Sequence, residues 1–441
     1  MIRATLLYFF SLALCTGSRA YGQTGKADPA DKTGPATTPT GNAVPADTTH
    51  AASGGGADTT RYITHADYYR TQRDLIDLYL DLRGKSPEKR LIRKGSENPR
   101  LHISAAPAIQ YSLETGLGIN FTGNAGFYMV RDSETNMSSI LASVTGTQNK
   151  QLLCPLQSSI WTKDNKYNFV GDWRYLEFPE QTYGLGGHTL PSDGTDLDYN
   201  YLRFYQYILR KVAKDFYIGP GYQLDIHYEI QQLNLKPGEV TPFDAYGYKA
   251  SSYSSGIALN ILYDTRKNSI NPEGGSFYGN VIVRQNLKFL GSDQDWNSLL
   301  FDVRKYFSVG HKNNVLAFWT YDWFTLVGNP PYLDLPSTAW DTYDNTGRGY
   351  VQSRFRSKSM LDLEGEFRFG ITNNGLIGGV VFANAQSFSD QGTGRFEVVA
   401  PGAGAGLRIK FNKFSKTNIA IDYGFGLNGS HGLFLNLGEV F

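Results

Sequence analysis

Apolar and polar residues alternate along most of the chain. In residues 361–371 the odd positions hold mostly large apolar side chains, whereas the even positions hold mostly charged ones. The same period of two recurs in residues 257–264, 299–304 and 418–427. Such a period indicates β-strands with one apolar and one polar face, although a soluble β-sandwich has the same alternation.

The number of strands and the lengths of the loops distinguish between these folds. The pattern divides into about sixteen strands, many of them near the roughly 9–11 residues of a tilted membrane strand. Short joins alternate with long ones, and the long joins span residues 179–196, 235–249 and 327–359. Short turns at one end and long loops at the other are typical of outer-membrane barrels, whose closure also pairs every backbone group in the bilayer.

The sequence therefore predicts an all-β fold, a closed transmembrane antiparallel β-barrel of about sixteen strands over residues 101–441, with both of its ends in the periplasm. The expected strands begin near Leu101, Gly116, Ser138, Leu152, Tyr167, Tyr199, Asp215, Ser255, Ser276, Ser298, Asn314, Met360, Leu376, Ala403, Asn418 and Gly432.

Three segments precede the expected barrel. Residues 1–22 combine a basic residue, a short apolar run and small residues, which indicates a signal peptide and export. Residues 23–60 are rich in Thr, Gly, Pro and Ala, which predicts a disordered linker. Residues 61–85 carry apolar residues at helical spacing, so we expect one amphipathic helix that packs against the barrel or acts as a plug.

Composition excludes several function classes. Forty-two Lys and Arg residues against 41 Asp and Glu residues give a net charge of +1, which offers no electrostatic basis for binding nucleic acid. Two cysteines cannot build a disulfide framework or a thiolate zinc site, and the seven histidines are scattered. We expect no cofactor, no metal and no enzymatic activity, and an outer-membrane lipase or protease is a distant third hypothesis.

Four short motifs occur in the expected barrel. Gly347-Arg348-Gly349-Tyr350 lies in the longest loop. Asp264-Thr265-Arg266 is followed by Pro272 and Gly274 at an expected periplasmic turn, and Gly404-Ala405-Gly406-Leu407-Arg408 opens a late strand. The last strand contains Asn436 and Gly438 and ends at Phe441.

These motifs, in this order, resemble those of the BamA/TamA (bacterial surface antigen) superfamily. The resemblance covers about 340 residues of the chain, and each motif alone is weak. It implies an outer-membrane barrel that helps to insert or translocate other proteins. It also implies that Asn436, Gly438 and Phe441 form an assembly signal, and that the loop motif is a structural latch.

Three departures from the family pattern stand out. The family usually carries several POTRA domains before the barrel, and we expect none in the segment that precedes residue 101. The loop motif begins with Gly347 where the family has Val or Ile. Asn384 also stands where the family commonly has an inward Asp, and a neutral amide would weaken an ion pair to the loop arginine.

The latch hypothesis rests on the cost of burying a charge. If the longest loop folds into the lumen, Arg348 must meet a carboxylate there. Glu364 and Glu366 lie on the inward face of the following strand and are the expected partners. Gly349, Tyr350 and Asn384 complete the expected latch, and the alternative is that Arg348 is a solvated loop residue.

The last strand is expected to present Leu433, Leu435, Leu437 and Phe441 to lipid.

Two function classes stay open. One is an assembly or translocation factor, and the other is a channel or structural barrel without insertase activity. Expected partners are outer-membrane lipids and other outer-membrane or periplasmic assembly proteins, and the expected location is the outer membrane of a Gram-negative-type bacterium.

Overall fold

A computed structural model describes residues 70–88, 90, 101–112, 116–129, 135–136, 138–310 and 314–441, with the backbone alone for 101–112. The predicted signal peptide (1–22), the predicted linker (23–60) and residues 61–69 of the predicted helix lie outside these residues.

The described chain is almost entirely β-strand. The strands are β1 Leu101–Ser112, β2 Gly116–Phe127, β3 Ser138–Thr147, β4 Leu152–Trp161, β5 Tyr167–Glu177, β6 Glu180–Thr182, β7 Thr195–Ala213, β8 Phe216–Leu233, β9 Ser251–Asp264, β10 Phe277–Asn286, β11 Trp296–Ser308, β12 Val315–Val327, β13 Ser359–Gly370, β14 Ile377–Ser389, β15 Phe396–Asn412, β16 Thr417–Phe425 and β17 His431–Leu437. The helices are α1 Leu75–Leu82 and α2 Pro242–Tyr246.

These strands form one antiparallel sheet in which neighbours in sequence are neighbours in space. Each strand from β1 to β17 pairs with the next, except that β5 pairs with β7. The short β6 also pairs with β7. Without the three-residue β6, sixteen of the 17 strands remain, which confirms the predicted all-β antiparallel fold. The largest difference in a strand start is at β15, which begins at Phe396 rather than near Ala403.

The sheet does not close, so the prediction of a closed barrel is wrong in this respect. Strands β1 and β17 lie side by side, but no backbone ladder joins them within the described residues. For the last four residues the physical reason lies at Gly438, where a φ of 116° turns the chain away from the strand direction. Strand β17 therefore ends at Leu437, before the last four residues could pair with β1.

The two faces of the sheet differ as the alternation predicts. Outward side chains such as Ile119, Leu363 and Leu437 are large, apolar and more than half exposed. Inward positions of the same wall are polar, and Glu364 and Glu366 on β13 are almost fully buried. Apolar outside and polar inside is the arrangement of a transmembrane barrel.

No helix in the described part of the chain has the length and apolar character needed to cross a membrane. Of the predicted helix over residues 61–85, the described residues 70–71 and α1 are helical, and the non-helical residues 72–74 separate them. Asp74 caps α1, and its side chain accepts a hydrogen bond from the Asp77 backbone N–H at 2.7 Å. A side-chain cap of this kind satisfies one of the free N–H groups of a helix start.

Helix α1 is held at the short-turn end of the barrel by buried charges. Lys413, in the β15–β16 turn, donates from Nζ to Asp77 Oδ2 at 2.8 Å. Its backbone N–H donates to Asp74 Oδ2 at 2.8 Å. Arg90 contacts the same two carboxylates at 2.7 and 2.5 Å. The helix is thus docked through its capping turn rather than through an apolar face.

We expect Lys413→Gln to loosen this docking. The substitution removes a buried charged partner of Asp77, which costs about 1–3 kcal/mol locally. Hydrogen exchange in α1 should become faster, while the barrel keeps its thermal stability. Lys416→Gln is the control, because Lys416 in the same turn pairs with the exposed Glu273. Equal exchange in the two variants would contradict the docking role of Lys413.

Candidate functional site: the inner loop and its luminal network

The loop between β12 and β13 folds back into the barrel. Most of residues 328–358, which we call the inner loop, are buried. The motif Gly347-Arg348-Gly349-Tyr350 lies within this loop, and all four residues are buried. A buried polar loop needs partners for its charges and backbone groups, so the contacts of the motif define the site.

Arg348 is the central group of this site, with 1% of its surface exposed. Its Nη2 donates to Glu366 Oε2 at 2.7 Å, and its Nη1 donates to Asp422 Oδ2 at 2.8 Å. Glu364 Oε2 lies 3.5 Å from Nη2. The guanidinium carbon also lies 3.9 Å from the centre of the Phe382 ring. The loop is therefore attached to β13, β14 and β16 at once.

The backbone of the motif is anchored as firmly as its side chain. Gly347 N–H donates to Glu364 Oε1 at 2.7 Å. Asn384 Nδ2 donates to the Arg348 carbonyl at 2.8 Å. The amide at position 384 thus binds the backbone of the loop rather than its guanidinium, which gives this neutral side chain a role that an Asp could not fill.

Glycines in the wall make room for the motif. A Cβ at Gly402 would lie 2.5 Å from Asn384 Oδ1, and one at Gly424 would lie 2.8 Å from the Gly349 backbone nitrogen. A Cβ at Gly426 would meet the Tyr350 ring at 2.6 Å. Such distances are shorter than van der Waals contact, so side chains at these positions would push the loop away from β15 and β16.

Tyr350 fixes the far side of the motif. Its hydroxyl donates to the Pro401 carbonyl at 2.6 Å and accepts from the Leu427 N–H at 2.9 Å. Gly349, with a φ of 116°, presents its carbonyl to the Ser430 hydroxyl at 2.7 Å. A left-handed φ of this size is costly for any residue except glycine.

Sequence reasoning missed four residues that surround Arg348. Glu366 also accepts from Arg368 Nε at 2.5 Å. Asp422 also accepts from Arg408 Nη1 at 2.5 Å, and Arg408 Nε donates to Glu439 Oε2 at 2.7 Å. We call this set the luminal network; its members are Arg348, Arg368, Arg408, Glu366, Asp422 and Glu439. Nothing in the alternation separates Arg368, Arg408 and Asp422 from other inward charges on their strands, and alternation places Glu439 on the outer face.

The C-terminal tail enters the lumen, so the expectation that Phe441 meets lipid is wrong. Phe441 is 2% exposed, and its ring centre lies 5.1 Å from that of Trp319. Arg368 Nη2 donates to the backbone oxygen of Phe441 at 2.5 Å. The turn at Gly438 ends the alternation that placed Phe441 on the outer face.

The other residues of the last strand keep their expected faces. Leu437 is 64% exposed on the outside, whereas Asn436 points inward. Asn436 Nδ2 donates to Asn345 Oδ1 at 2.9 Å, and Asn345 Nδ2 donates to the Val440 carbonyl at 2.9 Å. The inner loop and the C-terminal tail are therefore joined directly. The role of Asn436, Gly438 and Phe441 as an assembly signal stays a prediction.

A second arginine holds the inner loop nearer the long-loop end of the barrel. Arg356 is fully buried and donates to the carbonyl oxygens of Tyr332 and Leu333 at 3.2 and 3.1 Å. Its Nη2 lies 3.4 Å from Glu180 Oε1, on the short β6. Glu180 also accepts from the Ser353 hydroxyl at 2.6 Å. This anchor was not predicted, because Glu180 belongs to an expected loop.

The turn motif between β9 and β10 lies at the short-turn end. Arg266 donates to both carboxylate oxygens of Asp264 at 2.9 Å, and its guanidinium carbon lies 4.0 Å from the Tyr278 ring centre. Thr265 N–H donates to the Phe277 carbonyl at 2.9 Å. Pro272 and Gly274 form the rest of the motif; Pro272 is buried, and a Cβ at Gly274 would overlap Ser308.

This connection reaches the C-terminal tail. Asn268 Nδ2 donates to the Ser415 carbonyl at 2.9 Å, and Asn271 Nδ2 donates to the Lys416 carbonyl at 3.1 Å. The Glu439 N–H donates to the Ile270 carbonyl at 2.9 Å. The turn motif therefore meets the luminal network at Glu439, which lies more than 160 residues further along the sequence.

The side chains around the buried His227 are not arranged as a hydrolytic catalytic triad. Ser252 Oγ and Asp334 Oδ1 lie 3.5 and 3.7 Å from the same ring nitrogen of His227, Nδ1. A catalytic triad needs the nucleophile and the orienting carboxylate on opposite ring nitrogens. Within the described ranges, no group of three His, Cys, Asp or Glu side chains is arranged to hold a metal ion.

No protein-family model matches the chain, and no curated protein matches its sequence. Its structure is similar to BamA from Haemophilus ducreyi lacking POTRA domains 1–3, with 12% identity, a TM-score of 0.50, and coverage of 77% of this chain and 69% of that chain. It is also similar to CdiB from Acinetobacter baumannii, with 11% identity, a TM-score of 0.51, and coverage of 77% of this chain and 60% of that one.

Identities this low show the fold alone. They confirm the resemblance as one of fold, because the chain forms a barrel of the BamA and CdiB type. The chain spans less than two thirds of the CdiB chain, so the activity of the whole of that protein does not transfer with the fold.

We expect Arg348→Ala to release the inner loop. The substitution leaves Glu366 and Asp422 without one buried partner each, at a cost of about 3–5 kcal/mol. Proteolysis within the inner loop should increase. The barrel should also unfold at a lower temperature, measured as the temperature at which the heat-modifiable band of the folded form disappears from gels. Arg354→Ala is the matched control, since Arg354 lies in the same loop but its guanidinium contacts Thr189 and two aromatic rings, and no carboxylate of the described residues. Wild-type protease resistance in Arg348→Ala would contradict the latch.

We expect Phe441→Ala to destabilise the folded barrel. The ring is buried against Trp319, and truncation of a buried Phe costs roughly 3–5 kcal/mol. The apparent unfolding temperature of the detergent-folded protein measures this loss. Leu437→Ala is the control, because Leu437 is exposed on the outer face and its truncation should cost much less. Equal losses in the two variants would argue against a luminal Phe441.

Proposed function

We propose that this protein is an outer-membrane barrel that assists the insertion or translocation of other proteins, and that the seam between β1 and β17 is its working edge. The observation that carries the proposal is the missing ladder between these two strands in the described residues. Unpaired backbone groups facing lipid cost several kcal/mol each, so such an edge favours pairing with another strand.

An incoming strand can satisfy this edge by β-augmentation. Main-chain hydrogen bonds would supply affinity with little dependence on sequence, which suits a factor with many clients. Strand β17 is seven residues long, whereas its neighbour β16 has nine, so part of the wall beside the seam is uncovered. A client strand with an outward apolar face would extend this wall.

The luminal network stabilises the part of the wall that lies next to the seam. Arg348, Arg368 and Arg408 tie the inner loop to β13, β15 and β16, the strands that precede β17. A wall braced in this way would keep its shape when the seam opens. The proposed role of the latch is therefore structural, and no residue of the network is assigned to catalysis.

The fold shared with BamA and CdiB supports a location in the outer membrane of a Gram-negative-type bacterium. Proposed partners are membrane lipids on the apolar outer face and other outer-membrane or periplasmic assembly proteins. A structural barrel without insertase activity is the second candidate, and the many anchors of the inner loop favour it. An open channel is disfavoured, because the inner loop occupies the lumen.

Site-specific photo-crosslinking in cells tests the proposal. A photoreactive residue at Leu435, on the outer face of β17, should capture other outer-membrane proteins during their assembly. The control position is Leu259, which faces outward on β9, far from the seam in strand order. Adducts at Leu435 alone support a working seam. An absence of adducts at both positions, or equal adducts, supports the structural barrel.

A further inference from the structure

A cavity of about 380 Å³ lies at the long-loop end of the barrel. Most of its wall comes from four loops: the β8–β9 loop, the β10–β11 loop, both ends of the inner loop and the β14–β15 loop. This volume is at the small end of the range for ligand pockets. Outer-membrane barrels carry their long loops outside the cell, so the cavity faces the exterior.

One side of the cavity is aromatic and preformed. Phe243 and Tyr332 stack with ring centres 4.4 Å apart, and Tyr246 meets Tyr332 edge-on at 5.7 Å. The Tyr246 hydroxyl donates to the Pro330 carbonyl at 2.8 Å, which fixes a half-buried ring in the cavity wall. An aromatic ring held in this way offers an apolar surface to a ligand at little entropic cost.

Helix α2, which carries two of these rings, is itself capped at both ends. The Thr241 hydroxyl accepts from the Asp244 N–H at 3.1 Å, and the Asp244 carboxylate accepts from the Thr241 N–H at 2.9 Å. This backbone hydrogen bond lowers the pKa of the Asp244 carboxyl. Gly247 ends the helix in a left-handed conformation. The aromatic wall therefore does not depend on a ligand for its shape.

The opposite side of the cavity is polar and carries an unbalanced positive charge. Three amide side chains, those of Gln294, Asn329 and Gln391, line it and are exposed. Lys249 lies 3.5 Å from Asp293. Lys358 donates to Asn329 Oδ1 at 2.6 Å and forms no ion pair with any residue that the structure describes.

We propose that this cavity binds an anionic pyranose, a sugar ring that carries a carboxylate or a phosphate. The flat apolar face of a pyranose suits the Tyr246 ring, its hydroxyls suit the amides, and its negative group suits Lys358. A purely apolar ligand would displace water from the amides and the ammonium without replacing the hydrogen bonds of that water. A simple inorganic anion would make no use of the aromatic wall.

Saturation-transfer NMR and calorimetry on the purified full chain in detergent test this site. The probes are glucuronate, glucose 6-phosphate, glucose and inorganic phosphate. We expect binding of glucuronate or glucose 6-phosphate, weaker binding of glucose, and none of phosphate. The preferred anionic sugar identifies which negative group the site takes. Phosphate that binds as tightly as the sugars, or no binding of any sugar, would overturn the proposal.

Substitutions on each side of the cavity test the contribution of that side to binding. Lys358→Gln should weaken binding of the anionic sugar about tenfold, to the level of glucose. Lys236→Gln is the control, because Lys236 is an exposed lysine in the loop before β9 that does not line the cavity. Tyr246→Leu should weaken the binding of all sugars alike. Equal affinities in Lys358→Gln and Lys236→Gln would overturn the assignment of Lys358.

The sugar site does not depend on the seam. Both lysine variants and Tyr246→Leu should retain wild-type heat-modifiable migration, which shows that the barrel is folded when binding is measured. Crosslinking at Leu435 should be unchanged in these variants. Loss of sugar binding with intact crosslinking, or the reverse, therefore distinguishes failure of one proposal from failure of the other.

Discussion

Burying the Arg348 guanidinium in the lumen places a strict demand on the wall around it. A charge removed from water needs carboxylates at hydrogen-bond distance, and each carboxylate needs further donors in turn. Glu366 and Asp422 meet the first demand, and Arg368 and Arg408 meet the second. The path of the inner loop, the glycines that clear its space and the turn of the last strand are all consistent with this one requirement.

The same requirement links parts of the chain that are distant in sequence. The Glu439 carboxylate accepts a hydrogen bond from Arg408, and the Glu439 backbone N–H donates to the Ile270 carbonyl in the β9–β10 connection. The C-terminal tail therefore belongs both to the luminal network and to the short-turn end of the barrel. A perturbation at any of these places changes the electrostatic balance at the others, because the charges are buried and weakly screened.

Local patterns predicted the strands well and the network poorly, for a physical reason. Alternation is set by which neighbours along one strand face lipid, so it can be recognised segment by segment. Asp422 and Asp302 look alike in such a pattern, since both are inward acids between apolar neighbours. Only the fold shows that Asp422 faces the inner loop. Phe441 was misplaced because alternation was extended through Gly438, whose positive φ ends the strand.

The point at which β17 ends follows from a competition at Glu439. If β17 continued past Leu437 in register, alternation would turn Glu439 and Phe441 toward lipid. A carboxylate near the membrane interface costs only about 0–1 kcal/mol, but Arg408 would lose a buried partner, at a cost of roughly 3–5 kcal/mol. Phe441 would also leave the Trp319 pocket. The inward tail is therefore the more stable arrangement, and the charges inside the barrel set the point at which β17 ends.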